Sequence, residues 1–181
     1  ILSGGIASAT VINSGGIENI SSGGLASGAT INSSGTQNIY SAGIASGATI
    51  SASGIQNISN GGSAVATIVN SAGTENISSG GTALSTTVNT SGIQYVSLGG
   101  LASSATLSGG TQTLSGTNAI AISTLISTGG SQQILSGGIA SATVINSGGI
   151  ENISSGGLAS GATINSSGTQ NIYSAGIARD R

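Results

Sequence analysis

Residues 20–38, ISSGGLASGATINSSGTQN, are the stretch that decides the fold, because close variants of these 19 residues recur along the whole chain. The five units 1–19, 20–38, 39–57, 58–76 and 77–95 share this length, and a shorter unit, 96–113, and a longer one, 114–133, follow them. Residues 134–178 then repeat residues 1–45 letter for letter. A fixed period of this length is the signature of a solenoid, in which each unit stacks on its neighbours.

Three positions of the unit carry apolar side chains and should point inward. The first is Ile, Val or Leu in every unit, at Ile1, Ile20, Ile39, Ile58, Ile77, Val96 and Leu114. The twelfth is similar, at Ile12, Ile31, Ile50, Val69, Val88, Leu107 and Leu125. The seventh is Ala in the first six units, at Ala7, Ala26, Ala45, Ala64, Ala83 and Ala102. We expect this small residue where opposing walls of a narrow core come closest.

Glycine marks the points where the chain turns. It recurs at the fifth position (Gly5, Gly24, Gly43, Gly62, Gly81, Gly100) and the sixteenth (Gly16, Gly35, Gly54, Gly73, Gly92). We expect a positive φ there, which residues with a Cβ adopt only at a cost. In the divergent unit 114–133, Asn118 replaces the corner glycine. The short runs between corners are rich in Ile, Val and Thr, which favours strands, and helix is disfavoured throughout.

These features predict an all-β protein, a right-handed parallel β-helix of about nine and a half coils of 19 residues each. The handedness follows the strong preference of parallel crossover connections. At about 4.8 Å per coil the rod would be roughly 45 Å long. Asn19, Asn38, Asn57 and Asn76, and the thirteenth-position Asn13, Asn32, Asn70 and Asn89, should form ladders of side-chain amides. We assign residues 1–178 to the repeat array and 179–181 to a tail or vector scar.

The composition argues against several function classes. A net charge of −2 without a basic patch argues against nucleic-acid binding, and no apolar run is long enough to span a membrane. Glu18, Glu75 and Glu151 occupy equivalent positions in separate coils, and we interpret them as solvated members of a polar column rather than as a catalytic pair. Histidine and cysteine are absent and calcium-binding aspartates are lacking. We therefore expect neither an enzyme nor a metal or cofactor site.

The combined pattern resembles a known family. A 19-residue unit with two Gly corners and an Asn or Gln before the next aliphatic residue is similar to the passenger repeats of self-associating autotransporter adhesins of Gram-negative bacteria, the group typified by the adhesin involved in diffuse adherence. The resemblance covers residues 1–178 and weakens at 114–133. It implies a fragment of a passenger that is exported to the cell surface. It further implies autoaggregation, biofilm formation and attachment to host cells.

The resemblance also implies that repeat serines are O-glycosylated with heptose by a cytoplasmic heptosyltransferase. An acceptor hydroxyl must protrude to enter the active site of a transferase, and a glycine-flanked turn permits this. The candidates are Ser3, Ser21, Ser22, Ser78, Ser79, Ser136, Ser154 and Ser155 beside one corner, and Ser14, Ser33, Ser147 and Ser166 in the other. The alternative is that these serines only suit the turn geometry.

Two other function classes stay open on the sequence. An ice-binding solenoid would present a flat Thr-x-Thr face, but Thr10, Thr30, Thr49 and Thr67, followed by the adjacent pair Thr86 and Thr87, fall irregularly within their units. A purely structural or designed solenoid would share the same repeats. Thermal hysteresis would identify the first, and failure of cells displaying the rod to aggregate would favour the second.

Overall fold

Short strands with alternating burial form wherever an aliphatic or alanine position recurs. In the computed structural model, which describes residues 1–180, these strands stack into a parallel β-helix with three sheets. Each 19-residue unit makes one coil and contributes one strand to each sheet. The predicted fold is therefore confirmed.

The 28 strands of residues 1–180 are numbered in chain order. Sheet A contains β1 (Ile6–Ser8), β4 (Leu25–Ser27), β7 (Ile44–Ser46), β10 (Ser63–Val65), β13 (Thr82–Leu84), β16 (Leu101–Ser103), β19 (Ala119–Ile122), β22 (Gly138–Ser141), β25 (Leu158–Ser160) and β28 (Ile177–Arg179). Sheet B contains β2 (Val11–Ile12), β5 (Thr30–Ile31), β8 (Thr49–Ile50), β11 (Ile68–Val69), β14 (Thr87–Asn89), β17 (Thr106–Ser108), β20 (Leu125–Ile126), β23 (Val144–Ile145) and β26 (Thr163–Ile164). Sheet C contains β3 (Ile17–Ile20), β6 (Thr36–Ile39), β9 (Ile55–Ile58), β12 (Thr74–Ile77), β15 (Ile93–Ser97), β18 (Thr111–Ser115), β21 (Ser131–Ile134), β24 (Ile150–Ile153) and β27 (Thr169–Ile172).

Identical positions of successive coils lie in register. Ala26 of β4 pairs with Ala7 before it and Ala45 after it, and Ile39 of β6 pairs with Ile20 and Ile58. Stacking like on like buries each first-position aliphatic against its copies, a gain of about 1.5–3 kcal/mol per fully buried side chain. Repetition thus supplies a core that no single unit could form.

The core has two parts that run the length of the rod. The larger combines the first-position aliphatics with the seventh-position alanines, such as Ile39 and Ala45, and the smaller contains the twelfth-position aliphatics, such as Ile50. These side chains are almost completely buried. The predicted inward positions are confirmed between the ends of the rod, with Leu125 of the divergent unit as the exception. At the ends they are less covered, since Ile1 and Ala7 are half-buried and the equivalent Ile164 and Ile172 of the repeated segment are 50% and 54% exposed.

The role predicted for the fifth- and sixteenth-position glycines is wrong. The positive φ belongs to the residue before each of them, for example Gly23 (77°) before Gly24 and Ser34 (66°) before Gly35. Gly24 and Gly35 are needed for a different reason, since a Cβ there would lie 2.5 Å from the carbonyl oxygen of Ile1 and 2.2 Å from that of Ile12. These glycines allow close approach of the backbone of the preceding coil.

The unit 114–133 departs from the predicted alignment because its extra residue lies in the first turn. Ala119, and not Asn118, occupies the place of the corner glycine, since it pairs with Gly138. The shift continues through the unit, so that Ile126 pairs with Leu107 and is fully buried, whereas Leu125 is half-buried. The inward assignment of Leu125 was therefore wrong by one residue.

At the C-terminal end, β28 includes Arg179, which pairs with Ser160. Asp180 follows as an exposed residue, and Arg181 lies outside the described residues. The assignment of 179–181 to a tail stays a prediction.

Candidate functional site

The candidate serines lie in two tight turns of each coil. The first corner is the turn after the first-position aliphatic, as in Ser21–Gly24, and the second corner is the turn after sheet B, as in Asn32–Gly35. Each is closed by a backbone hydrogen bond. Gly24 N donates to the carbonyl oxygen of Ser21 at 2.9 Å, and Gly35 N donates to the carbonyl oxygen of Asn32 at 2.8 Å. Both are four-residue β-turns at the edge where two sheets meet.

The left-handed backbone turns the central residues of these corners outward. Ser22 and Gly23 have φ values of 53° and 77°, and Ser33 and Ser34 have 49° and 66°. A serine in this region costs about 1–2 kcal/mol relative to ordinary backbone. Hydrogen bonds between stacked corners offset the cost, as where Ser22 N donates to the Ser41 oxygen at 2.7 Å. Ser22 is thus fixed in place by the coil that follows.

Exposure divides the twelve candidate serines into three groups. Ser21 is buried, at 4% exposure, and Ser78 and Ser154 are half-buried. The exposed candidates are Ser3, Ser14, Ser22, Ser33, Ser79, Ser136, Ser147, Ser155 and Ser166. The third position of the unit therefore presents its hydroxyl to solvent, whereas the second position beside it is partly or fully covered. Modification of these serines stays a prediction.

A second ladder runs through the interior of the rod and was not expected. Glu18, Glu75 and Glu151 are 9% exposed or less, so their interpretation as solvated residues was wrong. Gln94 Nε2 donates to Glu75 Oε2 at 2.6 Å, and Gln56 Nε2 donates to Gln37 Oε1, also at 2.6 Å. The column of Gln and Glu thus bonds from coil to coil at most of its steps, which satisfies most of its buried polar atoms.

Threonines at the tenth position line this interior ladder. The Thr86 hydroxyl donates to Glu75 Oε2 at 3.0 Å, and the Thr67 hydroxyl donates to Gln56 Oε1 at 3.1 Å. Thr30 and Thr87, in contrast, lie in sheet B and are partly exposed. The threonines therefore divide between the interior and the surface, and this division argues against an ice-binding Thr-x-Thr face.

Burial raises the pKa of two of the interior carboxyl groups. Loss of solvent raises the pKa of Glu75 above 4.5, although hydrogen bonds from Gln94, Thr86 and Thr67 act in the opposite direction. The same cause raises the pKa of Glu151, opposed by Gln170 and Thr143. A carboxyl group enclosed in this way cannot reach a substrate.

The predicted asparagine ladders lie on the outside. Asn38 Nδ2 donates to Asn19 Oδ1 and Asn57 Nδ2 to Asn38 Oδ1, both at 2.9 Å, which confirms the nineteenth-position ladder. At the thirteenth position Asn89 bonds to Asn70 at 2.9 Å. The predicted step from Asn13 to Asn32 is not formed, and Asn32 Oδ1 is buried without a partner.

The long surfaces of the rod are uncharged. The three glutamates of residues 1–178 are buried, and in the described part of the chain Arg179 and Asp180 are confined to the C-terminal end. Among residues 1–180 no cluster of three or more His, Cys, Asp or Glu side chains could hold a metal ion. Nor does this part of the chain contain a helix long and apolar enough to cross a membrane.

Comparison with known proteins places this geometry in a family. No protein-family model and no curated protein matches the chain. Among solved structures, it is similar to a fragment of TibA, residues 55–350, crystallised in a form hyper-glycosylated by TibC. The two chains are 32% identical, with a TM-score of 0.79, over 98% of this chain and 78% of the TibA fragment. The chain therefore belongs to the family of adhesin passenger repeats that the TibA fragment represents.

Proposed function

We propose that this chain is a segment of a bacterial surface adhesin and an acceptor for O-linked heptose on its exposed corner serines. The observation that carries the proposal is the row of solvent-facing hydroxyls at the third position of the unit, at Ser22, Ser79 and Ser155. The hyper-glycosylation of the similar TibA fragment by TibC supports it.

The turn geometry suits transfer to a hydroxyl. In the reaction, the serine Oγ attacks the anomeric carbon of a nucleotide-activated heptose, the nucleotide leaves, and the hydroxyl proton passes to a base of the heptosyltransferase. Around Ser22 the neighbouring Gly23 has no side chain, and a Cβ built at this glycine meets nothing within 4 Å. An enzyme can therefore approach the hydroxyl without displacing part of the rod.

The adjacent serines Ser21 and Ser22 provide a matched test. We expect co-expression with a heptosyltransferase to add mass in increments of one heptose, and Ser22→Ala to remove the modification of the peptide that contains this corner. Ser21→Ala should leave it unchanged, because Ser21 is only 4% exposed. Modification at Ser21 with Ser22 unmodified would contradict the proposed site.

Two coils serve as internal controls. Their third position is Asn60 in one and Leu98 in the other, so the hydroxyl is missing where neighbouring coils present one. Peptides covering these two corners should carry no heptose at that position. Replacing Asn60 with serine should create a new acceptor, and its failure to be modified would show that exposure at the corner is insufficient.

We further propose that copies of the rod on neighbouring cells associate side by side, which would promote autoaggregation, biofilm formation and attachment to host cells. The uncharged flanks support this mechanism, because identical copies do not repel one another. Outward amide ladders such as Asn38–Asn57 offer donors and acceptors in every coil. Each bond contributes only about 1 kcal/mol, but repetition along the rod and many copies per cell produce avidity.

Salt separates this mechanism from ionic contact. Aggregation of cells displaying the rod should persist when salt is raised from about 0.1 M to about 0.5 M, although ionic screening over this range greatly weakens contacts between exposed charges. Replacing the outward asparagines Asn38, Asn57 and Asn76 together should reduce aggregation while leaving the β-sheet circular dichroism unchanged. Aggregation that disappears at high salt would contradict the mechanism.

A further inference from the structure

The interior ladder has a fixed direction. At each bonded step between neighbouring coils, a glutamine Nε2 donates to a side-chain oxygen one coil nearer the N-terminus. The bonded pairs are Gln37 to Glu18, Gln56 to Gln37, Gln94 to Glu75, Gln112 to Gln94, Gln132 to Gln112, and Gln170 to Glu151. Glutamine has both a donor and an acceptor, so each glutamine passes the same direction on to the next coil.

Two steps do not fit this pattern. Glu75 is in register with Gln56, and Glu151 with Gln132, and in both cases the residue that should donate is an acid. An ionised carboxylate only accepts, so it would place its oxygens against the oxygen end of the preceding glutamine. The mismatch is visible at Glu151, because its Oε1 is fully buried and has no hydrogen-bond partner.

We propose that Glu75 and Glu151 are proton-binding sites of the rod interior, each held at neutral pH as a carboxylic acid whose O–H donates toward the preceding coil. From the register and the threonine contacts, the acceptors that we assign are Gln56 Oε1 and the Thr67 hydroxyl for Glu75. For Glu151 they are Gln132 Oε1 and the Thr143 hydroxyl. The bound proton gives each acid the donor that a glutamine would have supplied. The ladder then continues unbroken through both steps.

The surroundings of both groups favour the neutral acid. The side chains that face Glu75 from the adjacent strands and from the threonine column are Gln56, Gln94, Thr67 and Thr86, none of which is charged. Burial without a counter-ion is costly for a carboxylate. It raises the pKa of Glu75, in agreement with the geometry.

Glu151 has an equally neutral environment. It lies between Gln132 and Gln170 of the neighbouring coils, and Thr143 is the threonine beside it. Its pKa is also raised by burial. The two sites are therefore built alike, although they are separated by several coils.

Proton binding makes stability depend on pH in a defined direction. The folded-state pKa of each acid lies above 4.5, the ordinary value expected in the unfolded chain. The stabilisation is therefore complete below pH 4.5 and is lost as the pH rises through the folded-state pKa. Within that window the unfolding equilibrium constant should increase about tenfold per pH unit for each acid. Acidic conditions would thus strengthen the rod.

Carbon-13 labelling of glutamate reads the protonation state directly. The sequence contains three glutamates, so difference infrared spectra of the labelled chain contain few carboxyl bands. We expect the carbonyl stretch of protonated carboxylic acids at pH 7, and its loss in the double variant Glu75→Gln with Glu151→Gln. A spectrum at pH 7 with carboxylate bands alone would overturn the proposal.

Denaturation as a function of pH gives the second readout. The double variant supplies an amide N–H to each step, so it should fold and lose most of the change in unfolding equilibrium between pH 5 and pH 8. The control is Glu18→Gln, because the side chain bonded to the Glu18 carboxyl among residues 1–180 is Gln37, which donates its amide N–H at 2.7 Å. The control should keep the pH dependence of the parent. If the unfolding equilibrium constant changed with pH equally steeply in the double variant and in the parent, the proposal would be contradicted.

Discussion

Substitution of a corner glycine tests how the coils are held together. A Cβ at Gly62 would lie 2.2 Å from the carbonyl oxygen of Ile39 in the preceding coil, so Gly62→Ala must push the two backbones apart by about 0.8 Å to reach 3.0 Å. The hydrogen bonds from Ser59 N to the Ile39 oxygen and from Ser63 N to the Gly43 oxygen are both 3.0 Å and would be stretched beyond bonding range. Loss of two such bonds with their groups left buried costs about 3 kcal/mol.

The neighbouring Gly61 provides the matched control. Its φ is 79° and a Cβ there meets nothing within 4 Å, and the equivalent residue of the preceding coil is already Ala42, at φ 63°. Gly61→Ala should therefore cost about 1 kcal/mol, from backbone strain alone. Guanidinium denaturation followed by far-ultraviolet circular dichroism compares the two variants. A loss of stability in Gly61→Ala equal to or larger than that in Gly62→Ala would refute the proposed role of close approach between coils.

Four further substitutions test the apolar core, the interior ladder and the outer ladder. Ile126→Ala should lower the free energy of unfolding by about 3 kcal/mol and Leu125→Ala by less than about 1 kcal/mol, as measured by denaturant titration, because only Ile126 is fully buried. Gln94→Leu should cost about 3 kcal/mol in the same assay, since Glu75 Oε2 loses its 2.6 Å donor inside the rod. Asn57→Ala should lower the free energy of unfolding by about 1 kcal/mol, because its two ladder bonds are only partly buried. A decrease as large as that caused by Gln94→Leu would contradict the different burial of the two ladders.

The repeat alone was sufficient to predict the coil and its apolar core. Ile20, Ala26 and Ile31 were correctly placed inside, because each position recurs with the same small or aliphatic character in every coil. Stacking in register then follows directly from the fixed period. The nineteenth-position asparagine ladder was predictable for the same reason, since identical amides one coil apart can bond to one another.

The interior Gln and Glu column was missed because polarity was given more weight than periodicity. Side chains two residues apart on a strand share a face, so Glu18 must point inward if Ile20 does. That signal was present in every unit, for example in Gln37 and Ile39. The sequence did not show that neighbouring threonines and stacked amides hydrogen-bond to the buried Gln and Glu side chains. These bonds depend on contacts between coils.

The exposure of individual serines was also beyond the repeat pattern. Ser21 and Ser22 are adjacent and chemically identical, yet one is buried and the other is exposed. Their difference depends on the left-handed backbone at Ser22, and the positive φ was expected at Gly24, two residues later. Turn geometry thus decides which hydroxyl a modifying enzyme can reach.

The most direct test of the adhesin and acceptor function is the intact mass of the chain secreted from its native host. Our account predicts a series of species separated by the mass of one heptose, with the added sugars located at exposed corner serines such as Ser22, Ser79 and Ser155. A single species at the mass of the unmodified polypeptide, or heptose located only outside the corners, would contradict it.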